Sequence, residues 1–155
     1  MRMEEKLIQG GIAGLIAGTL KDIPDAVLHY GFNITKLTFW DYAGTLALGR
    51  HPQSFLEHAY SFGYEVIFSI LLGTVFALLL NIFKAKRYLL WGGFYGAIVW
   101  FAVRGAVVGL NIKPLMNSHL LTSAVNSLDS VLYGMMLGFI IKLLLKKSKM
   151  NVIAD

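Results

Sequence analysis

Residues 67–83 read IFSILLGTVFALLLNIF, and after the basic link Lys84-Ala85-Lys86-Arg87, residues 88–110 read YLLWGGFYGAIVWFAVRGAVVGL. These two runs decide the fold class. A helix rises 1.5 Å per residue, so about 20 apolar residues cross a hydrocarbon core about 30 Å thick. The first run extends upstream through Glu65 to Phe55. A third run, His119–Leu145, follows the Asn111–Ser118 loop with its Pro114. The expectation is an all-α, polytopic membrane protein, with spans at about 55–83, 88–110 and 119–145.

A fourth span is expected at about 7–29, and it is the weakest. Its apolar part, Leu7–Leu20, ends after fourteen residues at Lys21, and Asp22, Pro24 and Asp25 follow. The leader MRMEEK carries two glutamates and no small-x-small cleavage pattern follows, which argues against a cleaved signal peptide. Between the first two spans, Thr38–Gly49 (TFWDYAGTLALG) is too short to cross. It reads as an interfacial helix with Trp40 and Tyr42 at headgroup level, or as a re-entrant piece. Gly49–Pro52 reads as a turn, with Pro52 near the start of the next helix.

Composition agrees with a single membrane domain over 1–155. Hydrophobic residues make up 56% and charged residues 15%, where soluble domains are roughly 25% charged; mean hydropathy is +0.62. The sequence has no cysteine, so disulfides and thiolate chemistry are excluded. The net charge of +5 gathers in clusters beside apolar segments rather than on a continuous basic face. That pattern fits contact with membrane lipid and excludes nucleic acid as the expected partner. With both termini inside, Arg2, Lys6, Lys84, Lys86, Arg87, Lys146, Lys147 and Lys149 are cytoplasmic and only Lys36, Arg50 and Lys113 lie outside. The imbalance predicts an N-in, C-in topology.

The charges inside the spans share a depth. Counted from the inner end of its own span, each of Lys21, Asp22, Asp25, Glu65, Arg104 and Asp129 lies 14 to 18 residues up, or about 21–27 Å. A charge at a helix centre costs about 2.5–3.5 kcal/mol on insertion scales. The large aliphatics of the first span return roughly 3–5 kcal/mol, against up to about 10 kcal/mol for its three charges. Oppositely charged partners on other helices are therefore expected, with Arg104 the obvious partner for the carboxylates.

Helical spacing places these charges on polar stripes. His58, Ser61, Glu65 and Ser69 share one face, as do Thr122, Asn126, Asp129 and Tyr133. In the first span Gly10, Gly14, Gly18, Asp22, Asp25 and His29 do the same. The glycines, with Gly92/Gly96, Gly105/Gly109 and Gly134/Gly138, have the four-residue spacing that lets membrane helices approach closely. They predict packing seams within one chain or between subunits of a homo-oligomer or larger membrane complex.

Two function classes fit. Two cations among four carboxylates leave negative charge for a proton, a cation or a small polar solute, which points to a transporter or channel. The same charges as structural salt bridges point to a non-catalytic accessory or scaffold subunit. No catalytic motif is present, no cofactor is implied, and Glu57, His58, His51 and Glu65 lack the spacing of a metal site. The stretches Gly10–Gly18 (GGIAGLIAG), Leu37–Pro52 (LTFWDYAGTLALGRHP) and Tyr88–Val103 (YLLWGGFYGAIVWFAV) resemble small four-span membrane proteins of Gram-positive bacteria. That resemblance implies a multi-pass protein of the bacterial cytoplasmic membrane and carries no residue role.

Overall fold

In a computed structural model, which describes residues 3–116 and 119–154 with side chains as far as Lys146, all the regular structure among the described residues is helical. Helix α1 (Met3–Ala26) widens into a π-helical turn, Val27–Gly31. Then come α2 (Phe39–Leu48), α3 (Phe55–Ile82), α4 (Tyr88–Gly109), the single turn α5 (Lys113–Met116) and α6 (Leu120–Ala154). Arg2 and the side chains of Lys147 and Lys149, counted above as cytoplasmic, lie outside the described residues.

Local chemistry sets these boundaries. Pro24 lies inside α1. It has no N–H to bond Leu20 and its ring crowds that carbonyl. The helix continues for two residues and then loosens into the wider turn, where Phe32 N–H bonds the Val27 carbonyl at 3.2 Å. At α2, Thr38 and Asp41 form a reciprocal capping box, and Gly49 ends the helix at φ 70°. Ser54 caps α3 by accepting the Glu57 N–H. Helix α6 runs past the expected limit at Leu145.

Two antiparallel pairs build the body. Gly10 and Gly14 of α1 sit against Gly73 and Ala77 of α3, while Gly92 and Gly96 of α4 sit against Gly134 and Ser130 of α6. The pairs join around Ala13, Ala17, Phe76, Tyr95, Tyr133 and Leu137, all buried. A second cluster (Leu37, Tyr42, Val107 and Leu115) closes the end where α2 and α5 lie.

Polarity is inverted relative to a soluble globule. Lys21, Asp22, Asp25, Glu65, Asn126 and Asp129 are buried, whereas Ile12, Leu20, Ile67, Phe94, Phe101 and Leu132 are exposed. Helices α3, α4 and α6 are long and apolar enough to cross a membrane, which fits an integral membrane protein. Helix α1, the expected first span, is outside that set of three. Its apolar part stops at Leu20, and three charged residues follow within five positions.

Candidate functional site

Lys21 is the hub of the buried polar region. Its ammonium lies 2.7 Å from Asp22 Oδ1 and 3.0 Å from Glu65 Oε1. It also sits 3.8 Å from the centre of the Phe39 ring, a cation–π contact. The glycine seam creates this meeting. Gly18 packs on Ser69, and one turn further along the antiparallel pair Lys21 of α1 faces Glu65 of α3. Ser69 Oγ donates to Glu65 Oε1 at 2.9 Å, and the Tyr133 hydroxyl donates to the Ser69 carbonyl at 3.1 Å. The stripe on α3 and the one on α6 are thereby linked.

Asp25 is fully buried and accepts the Phe39 N–H at 2.8 Å through Oδ2. A carboxylate at the first N–H of α2 meets the positive end of the helix dipole. Lys21 and Asp129 are among the charged neighbours of Asp25. Among the described residues, one oxygen on each of Asp22, Asp25, Glu65 and Asp129 has no hydrogen-bond partner, nor does either amide atom of the fully buried Asn126. Buried polar groups are ordinarily satisfied, so a layer with this many open acceptors has capacity for protons, cations or water.

Of the six expected charges, Lys21, Asp22 and Glu65 meet in ion pairs, while Asp25 and Asp129 are buried without an ion pair among the described residues. Arg104 does not join them. Its guanidinium donates to the carbonyls of Leu115 at 2.7 Å and Met116 at 2.9 Å, at the end of α5. Helix C-termini leave carbonyls unpaired, and a guanidinium satisfies two at once. The expected effect of Arg104→Leu is thus a local one, a loss of about 1–3 kcal/mol from two charge-assisted bonds on a half-buried side chain. Urea unfolding of the purified protein in detergent measures it. Collapse of the whole fold would mean that Arg104 neutralises the carboxylates after all.

A cavity of about 260 Å³ opens above the hub, between α2, α3 and α4. Phe68, Leu72, Val99, Trp100 and Leu46 give it apolar walls, and Lys21, Glu65, Ser69 and Tyr133 reach into it. Helices α3 and α4 touch little along their length, and the cavity fills that gap.

The supporting residues divide. Asn126 and Tyr133 belong to the layer. His29 Nδ1 donates to the Thr35 carbonyl at 2.8 Å and so fastens the loop before α2. His58 Nδ1 lies 3.6 Å and His51 Nε2 3.8 Å from the same oxygen, Asp41 Oδ1. Glu57 turns away to a two-pronged pair with Arg50, at 2.6 and 3.1 Å. Among the described residues, no group of three or more His, Asp or Glu is placed to hold a metal ion.

Of the seam glycines, Gly138 packs on the Tyr88 carbonyl and Gly134 on that of Gly92, while a Cβ added at Gly105 or Gly109 would meet nothing within 4 Å among the described residues. The last two do not belong to a seam in this chain. Sequence reasoning missed Phe39, the ring beneath Lys21, and Asp41, which is buried with one oxygen on the Thr38 N–H at 2.8 Å. The Thr38-x-x-Asp41 spacing of a capping box was the available signal for Asp41.

No protein family, curated protein or solved structure matches the chain.

Proposed function

We propose that this is a four-span, N-in, C-in protein of the bacterial cytoplasmic membrane that moves a proton, a cation or a small polar solute through its buried carboxylate layer. One observation carries the reading. Asp22 and Glu65 grip the Lys21 ammonium, Asp25 and Asp129 are buried as well, and among the described residues each of the four carboxylates keeps an oxygen without a hydrogen-bond partner. Fixed dipoles and one lysine leave a surplus of negative charge in a low-dielectric layer, a costly state unless protons or cations share it. The cavity between α2, α3 and α4 gives a solute access to Lys21 and Glu65.

Helix α1 fits the fourth span in this reading. Ile12, Leu15, Ile16 and Leu20 are exposed on its outer side, where lipid would cover them, while Lys21 and Asp22 meet Glu65 on its inner side. The ion pairs offset the insertion cost that its short apolar run does not cover. Helix α2 then lies near the outer interface, with Trp40 and Tyr42 at headgroup level.

Flux tests the proposal. Purified protein in liposomes is expected to dissipate an imposed proton or monovalent-cation gradient. Glu65→Gln and Asp129→Asn are expected to lower the rate at least tenfold while leaving the protein monodisperse. Protein that stays silent under every gradient would favour the second reading, an accessory or scaffold subunit, homo-oligomeric or within a larger complex. That reading has its own support. Asp25 holds the start of α2, and the Lys21–Glu65 pair clamps α1 to α3, both structural duties.

A further inference from the structure

At the opposite end of the bundle, the start of α1, the α3–α4 turn and the second half of α6 border an open cavity of about 730 Å³. Lys6, Lys84, Lys86, Lys142 and Lys146 line it, and among the described residues no acidic side chain does. Lys6 Nζ donates to Asn81 Oδ1 at 2.5 Å. The other four lysines have no ion-pair partner among the described residues. Glu4 and Glu5, although within two positions of Lys6 in sequence, do not line the space.

Five ammonium groups around one cavity give it a positive potential, which an anion placed between them lowers. The walls are not uniformly polar, since Leu80, Ile141 and Leu145 also contribute. Phe83 and Trp91 stack at 5.8 Å beside the same turn, the kind of aromatic pair found at the level of lipid headgroups. Lys84 has φ 48°, in the left-handed region that favours glycine, and it is neither Gly nor the tolerated Asn.

We propose that this cavity binds phosphate groups of an anionic ligand, with Lys6, Lys84, Lys86, Lys142 and Lys146 as the cationic wall. Basic pockets between membrane helices at the cytoplasmic side hold anionic headgroups in this way, and a soluble phosphate compound offers the same chemistry. The site is separate from the carboxylate layer and does not depend on transport.

The full chain in neutral detergent would be titrated with phosphatidylglycerol, phosphatidylcholine and inorganic pyrophosphate, read by melting temperature and native mass spectrometry. Phosphatidylglycerol is expected to raise the melting temperature and to stay bound, and phosphatidylcholine to do neither. Competition by pyrophosphate identifies a soluble phosphate as the source, and its failure to compete identifies a lipid headgroup. Lys142→Gln and Lys84→Gly are each expected to weaken binding at least threefold, and together at least tenfold. Because glycine relaxes the backbone at position 84, Lys84→Gly should keep its ligand-free melting temperature, which a merely structural lysine would not. Equal binding of the two lipids, no binding of phosphatidylglycerol or pyrophosphate, or unaltered affinity in the double variant would overturn the site.

Discussion

Lys21→Met is expected to cost about 3–5 kcal/mol of folding free energy, the range for removing one member of a buried ion pair. The magnitude follows from what is left behind. Lys21 is 4% exposed and is the one ammonium in contact with Asp22 and Glu65. Without it both carboxylates stay buried, with Ser69 as the one remaining donor to Glu65 Oε1 among the described residues. Urea unfolding in detergent, or the yield of monodisperse protein, reads the loss. A double variant, Lys21→Met with Glu65→Gln, is expected to recover a measurable part of it, because the second change removes one stranded charge. Wild-type stability in the single variant would mean that the carboxylates need no fixed cation, and that protons alone neutralise the layer.

The second large effect lies in the α4–α6 seam. A Cβ on Gly92 would run into the Gly134 carbonyl, and one on Gly134 into that of Gly92. Both obstacles are backbone, so relief requires the two helices to part. Gly92→Ala is expected to cost about 1–3 kcal/mol, the usual range for overpacking. Gly92→Leu is expected to yield no folded protein, since nothing flexible stands in the way of its side chain. The control is Gly105→Ala on the same helix, where an added Cβ meets open space. Its melting temperature should be unchanged or slightly higher. Equal damage at positions 92 and 105 would show that glycine matters here for backbone freedom rather than for close approach.

How much of this could be read from the residues depends on what a helix fixes. Depth was legible, because the rise per residue is constant. Lys21, Asp22 and Glu65 stand near one level by counting alone, and they do come together. Faces within one helix were legible too, because 3.6 residues make a turn. Ser61, Glu65 and Ser69 are buried in a row, as are Thr122, Asn126, Asp129 and Tyr133. What one strand of text does not carry is the rotation of each helix relative to its neighbours. Gly105 stands nine positions after Gly96, about 180° around the helix, so equal spacing put the two on opposite faces. Arg104 stands about 100° from the middle of the Gly92–Gly96 face. At the right height but the wrong azimuth, it found the open carbonyls of α5 rather than a carboxylate.

The sequence by itself therefore determined the helical class, the long apolar runs, the inward polar stripes and the shared depth of the charges, since all of these follow from rise, period and transfer energy. Only the tertiary structure decided that Lys21 rather than Arg104 is the counter-charge, that Asp25 and Phe39 join α1 to α2, and that lysines distant in sequence surround one cavity. Those outcomes depend on how far each helix turns and how closely the glycine seams let it approach, which are properties of pairs of helices and not of any single segment.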